Sequence, residues 1–158
     1  MPDAARSKLV SRYMWLVVAV GGASFAYSIQ NLPYKQLDFR ALLLFSLTVL
    51  ISSRIAIKVP RVNTTITVAD TFVFLTLLLY GPEAAVVVAA ADGLSSGLLI
   101  SKRWSTVLFN AGANASALFT TGAIARLLFG SNLNISSEPY STSLIFLCVI
   151  AVTHYLLH

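Results

Sequence analysis

The chain has 158 residues, 57% of them hydrophobic and only 11% charged, with a mean hydropathy of +0.80. Soluble domains are about a quarter charged, so this composition predicts one integral membrane domain over residues 1–158. The net charge of +5 does not point to nucleic acid, because the basic residues sit in short clusters between apolar runs.

Arg6, Lys8 and Arg12 precede the first apolar run, Tyr13–Ile29. Its Gly21-Gly-Ala-Ser-Phe-Ala26 tract resembles a signal-peptide cleavage site. The run approaches spanning length and an apolar chain follows, so a retained signal-anchor helix is expected. A second segment is predicted at Leu37–Ser52. Next, Arg54–Val59 and Thr64–Val68 alternate small or polar with branched residues around Pro60-Arg-Val-Asn63. That pattern predicts a β-hairpin lying against the bundle or the cytoplasmic interface.

The third segment, Ala69–Tyr80, is short for a span, and either crosses the bilayer or re-enters it. Asp70 is expected to cap it. Pro82 and Glu83 open the fourth segment, Pro82–Ile100: proline loses no needed donor at the first helical position, and a carboxylate complements the helix dipole. The fifth runs Trp104–Leu128 and the sixth Ser141–His158. The sixth stops inside an apolar run, which suggests an incomplete C-terminus. The expected fold is an all-α membrane protein of about six transmembrane segments, with a small β-hairpin between the second and third. Basic residues are concentrated on the side of Arg12, Arg54, Lys58, Arg61, Lys102 and Arg103, so the positive-inside rule predicts both termini in the cytoplasm.

Asp92 is the residue that this arrangement tolerates least. It lies about 13 Å into the fourth helix at 1.5 Å per residue, and a carboxylate at that depth must be paired or neutralised. Ser95 and Ser96 follow one turn on, and Gly93 and Gly97 form a GxxxG that admits a close neighbour. Counting outward from the turn at Ser101–Trp104 brings Asp92 level with Asn110 and Asn114. The same count pairs Glu83 with Arg126. Asp92, Asn110, Asn114, Ser95 and Ser96 are therefore the expected polar cluster, as a ligand or ion site, a proton relay, or hydrogen-bonded glue between helices. The lone Cys148 excludes an internal disulfide and is expected to pack inertly; His154 is expected to be a packed or interfacial residue. No nucleotide-binding loop, zinc-hydrolase or serine-hydrolase motif occurs, so no catalytic activity, metal or cofactor is expected.

The run Arg54–Asn63, then Thr67-Val-Ala-Asp-Thr-Phe-Val-Phe74, Leu79-Tyr-Gly-Pro-Glu-Ala-Ala85 and Lys102–Asn110, resembles bacterial multi-pass sensory domains. These precede diguanylate cyclase, HD-type phosphodiesterase or histidine kinase modules. The likeness spans roughly Arg54 to Gly130. It implies a sensory, ligand-binding module in the bacterial inner membrane. The expected partners are the lipid bilayer and a cytoplasmic signalling domain, a membrane protein or a second copy of the chain. The region is also similar in pattern to the S-components of energy-coupling-factor transporters, which would make the chain a vitamin-type transport subunit. A structural subunit of a membrane complex is the third reading.

Overall fold

A computed structural model describes residues 2–34, 37–50, 56–58, 65–129, 145 and 148–153. Its elements are α1 (Pro2–Gln30), α2 (Phe39–Leu50), β1 (Ala56–Lys58), β2 (Thr65–Thr67), α3 (Val68–Tyr80), α4 (Pro82–Ile100) and α5 (Trp104–Phe129). Among the described residues the fold is all-α apart from one minimal strand pair. β1 and β2 run antiparallel, with Ala56 opposite Thr67, Ile57 opposite Ile66 and Lys58 opposite Thr65. The expected turn at Pro60–Asn63, together with Arg54 and Arg61, lies outside the described residues, as does His154.

Helix α4 is the axis of the bundle and touches α1, α2, α3 and α5. Its first half is small and apolar, and Ala84, Ala85, Val86, Val88, Ala89 and Ala90 are all buried. A helix that is apolar on every side is one surrounded by others. Gly81, at φ 87°, joins α3 to α4 as a single residue, a conformation a side chain would strain. Pro82 then occupies the first turn of α4 as expected.

Close approach between helices is made by glycine. A Cβ on Gly93 would stand 2.7 Å from the Asn110 carbonyl oxygen, and one on Gly97 would stand 2.9 Å from Val107 Cα. The expected GxxxG thus faces α5. A second crossing had no counterpart in the sequence reading: a Cβ on Gly21 would collide with the backbone of Gly112, so α1 lies directly against α5.

Two helices among the described residues, Lys8–Gln30 and Pro82–Leu99, are long and apolar enough to cross a membrane. α2 and α3 are shorter, at 12 and 13 residues. α5 has the length, at 26 residues, but its serines, threonines and asparagines dilute its hydropathy. The sixth expected segment is described only at residues 145 and 148–153, all helical. Ile150 joins the core there, whereas Cys148 is exposed rather than packed. An apolar run does not reveal which of its faces is buried.

Two further expectations change. The first helix begins at Pro2, well before Tyr13. α3 begins at Val68, which puts Asp70 inside its first turn rather than at its cap. There the carboxylate still complements the positive end of the helix dipole.

The cap that the structure does show is Asp38, whose Oδ1 accepts from the Ala41 amide at 3.1 Å and the Tyr80 hydroxyl at 3.0 Å. The Ala41 amide, with help from Tyr80 and the charge of Arg40, holds the Asp38 carboxyl below its ordinary value. A carboxyl depressed in the folded state stabilises above its unfolded pKa, and that contribution disappears as pH falls through the folded pKa. Melting temperature should therefore fall between about pH 4 and more acidic solution, and Asp38→Asn should remove part of that slope. An unchanged slope in the variant would show that Asp38 contributes nothing to it.

Candidate functional site

Most buried hydroxyls in this bundle are satisfied within their own helix. Ser24 donates to the Val20 carbonyl at 3.0 Å, and Thr48, Thr76 and Thr121 donate at 2.8 Å to the carbonyls of Leu44, Phe72 and Ala117. Such back-bonding needs no water and suits a helix in apolar surroundings. Two buried side-chain oxygens among the described residues depart from this pattern, Ser28 Oγ and Asp92 Oδ1, which have no hydrogen-bond partner. Buried polar groups nearly always have partners, so each exception marks a place of interest.

Asp92 is 7% exposed and lies in the middle of α4. The expected cluster around it forms only in part. Ser95 Oγ donates at 2.9 Å to the main-chain oxygen of Asp92, and Ser96 Oγ donates at 3.3 Å to that of Gly93. Both serines therefore serve their own helix. Asn110 and Asn114 are half-buried on α5, but no hydrogen bond joins either to Asp92. The reason is angular. Gly93 is the α4 residue set against Asn110 and Ala111, and Asp92 stands one position earlier, about 100° around the helix.

Among the described residues the charged group that acts on Asp92 is Asp70, whose carboxylate is close enough to interact with it electrostatically. This neighbour was open to prediction. Asp70 and Asp92 each lie eleven residues from Gly81, on helices that run back from that one-residue joint. At 1.5 Å per residue both stand about 16 Å from it, at the same level. Counting across the α4–α5 turn alone missed this pairing.

The expected pair at the other end of the bundle is present, with Arg126 Nη2 donating to Glu83 Oε1 at 2.6 Å. The Glu83 side chain is 12% exposed and that of Arg126 45%, so the pair sits at an edge. It borders a cleft of about 370 Å³ between α1, α4 and α5, whose walls include Tyr27, Ser28, Val86 and Phe119. That volume lies at the lower end of the range for small-molecule sites. Tyr27 and Phe119 meet edge to face there, with ring centroids 5.6 Å apart. The unpartnered Ser28 thus borders this cleft, while Asp92 lies outside its lining.

Among the described residues no group of three histidine, cysteine or acidic side chains is arranged to hold a metal. Set against known proteins, the chain matches no family model, no curated protein and no solved structure.

Proposed function

We propose that the chain is a membrane-embedded sensory module that binds its ligand at Asp92 and signals by helix rearrangement, without catalysis. The observation that carries this reading is the buried, unpartnered carboxylate oxygen on the helix that touches four others. An ionisable group held at such cost inside a membrane bundle is a functional site by default. A ligand there contacts the element through which α1, α2, α3 and α5 are all linked.

The setting proposed is the bacterial inner membrane, as a six-pass bundle with a β-hairpin between the second and third segments and both termini in the cytoplasm. Support comes from the outward faces of the helices, where Leu9, Trp15, Leu16, Leu98, Leu99 and Leu127 are exposed. Apolar surface of that extent is matched by lipid rather than water. A small-molecule transport subunit is the second reading, favoured by the cleft beside Glu83 and Arg126.

A chimera tests the leading reading. With the chain fused ahead of a diguanylate cyclase, Asp92→Asn should change cyclase output at least about fivefold, the lower end of ordinary allosteric coupling. Membrane insertion and expression should not change. Output indifferent to the substitution would sink the sensory reading.

A further inference from the structure

Three contacts fix how α1 lies on α5. The rings of Tyr13 and Phe109 stand 6.2 Å apart and those of Tyr27 and Phe119 5.6 Å apart. Between them, a Cβ on Gly112 would stand 3.0 Å from the Val17 carbonyl oxygen. The two helices therefore climb in the same direction, and their first turns share one end of the bundle. Stepping back from Tyr13 and from Phe109 at 1.5 Å per residue puts Lys8, Arg12, Lys102 and Arg103 in one layer about 10 Å deep. All four are exposed, and none of their side chains has an ion pair or hydrogen bond among the described residues. The carboxylates of Asp38 and Glu83 belong to the opposite end, with Tyr80 and Pro82. Asp92, with Asp70 at its level, lies about 13 Å from the Ser101 turn. Helix stability does not explain the cations on α5. They precede its N-terminus, where the dipole repels positive charge, and no acidic residue occupies its first turn.

The two tryptophans of the chain accompany these cations. Trp104 follows Arg103 directly, and Lys8, Arg12 and Trp15 recur at helical spacing along one stripe of α1. Both indoles are exposed, and exposed leucines, Leu16 and Leu108, continue toward the middle of the bundle. Charge, then indole, then hydrocarbon is the order in which a bilayer leaflet offers phosphate, interface and acyl chain. Resting on the membrane setting proposed above, we propose that the starts of α1 and α5 form a docking surface for anionic phospholipid headgroups of one leaflet. Unpaired cations complement a headgroup with net negative charge, such as phosphatidylglycerol, whereas phosphatidylcholine carries its own counter-charge. Headgroups held there bridge α1 and α5 at the end that the contact of Gly21 with Gly112 does not reach.

The test uses the full chain in vesicles of phosphatidylcholine mixed with phosphatidylglycerol, one of the two lipids carrying bromine on its acyl chains. Bromine quenches tryptophan at short range, so fluorescence reports which lipid stands beside Trp15 and Trp104. The expected result is a preference for phosphatidylglycerol of at least about fivefold, the effect of one cation near an anionic surface. The preference should fall by half or more when Lys102→Gln and Arg103→Gln are combined. It should persist in Arg40→Gln, which alters an exposed cation at the other end. In the wild type it should also collapse in about 1 M NaCl, where charges are screened within about 3 Å, a measurement that stands even if the double variant does not insert. A preference that survives the double substitution or the salt overturns the proposal. So does one abolished by inorganic phosphate or an acidic peptide at constant ionic strength, which assigns the layer to a soluble anion. Equal quenching by the two brominated lipids overturns the selection and leaves the membrane setting intact, whereas quenching by neither overturns both. The cyclase chimera reads Asp92 and is independent of these results.

Discussion

Replacing Gly21 with leucine should separate α1 from α5 and destabilise the bundle by on the order of 3 kcal/mol, near the upper end of ordinary overpacking costs. Even a single Cβ at this position meets the backbone of Gly112, which cannot rotate aside as a flexible side chain would. The adjacent Gly22 is the control, because it is exposed and a Cβ there has nothing within 4 Å. Gly22→Leu should fall within about 0.5 kcal/mol of wild type, or gain slightly from the better helix propensity of leucine. Reversible unfolding in mixed micelles measures both. Equal effects from the two substitutions would mean that α1 does not lie on α5 along this stripe.

Leu118→Ala should cost about 2–5 kcal/mol, the usual range for truncating a fully buried leucine. Leu118 is 1% exposed and belongs to the core cluster with Val86, Val88 and Ala115. On the membrane reading the loss is one of packing contacts and not of transfer from water, because lipid is as apolar as the core. Leu127, on the same helix but 85% exposed, separates the two contributions. In detergent Leu127→Ala should change stability by less than about 0.5 kcal/mol. A comparable loss at both positions would place Leu127 in an interface.

Features that depend on neighbours in sequence were readable from the chain, and features that depend on distant neighbours were not. The break at Gly81-Pro82, the start of α4 and the inward use of Gly93 and Gly97 all follow from local chemistry. The Glu83–Arg126 pair also followed, because one short turn fixes the relative heights of α4 and α5. The crossing of Gly21 with Gly112 joins helices far apart in the chain, and Gly21 lies in a run of small residues that resembles a cleavage site. The orientation of Asp92 was missed for a geometric reason. Its height is set equally by the turns at Gly81 and at Ser101–Arg103, but only the direction of Gly93 decides which neighbour it faces. Composition likewise could not separate buried from exposed apolar residues, as Cys148 shows.

The narrow seat of α1 bears on the order of biosynthesis. Only 11% of Lys8–Gln30 is buried, against 50% of Pro82–Leu99, and the partner glycine for Gly21 is not translated until residue 112. At roughly 5–20 residues per second, the first helix waits some seconds before its docking surface exists. In a membrane it can wait because its exposed leucines, valines and aromatics need no protein neighbour. α5, with Asn110, Asn114 and four buried alanines, has no such independence. On the membrane reading proposed above, it enters the bilayer together with α4 as a hairpin, and the glycine stripe of α1 then closes over it. Among α1, α4 and α5, the helix made earliest is then the last to be fastened.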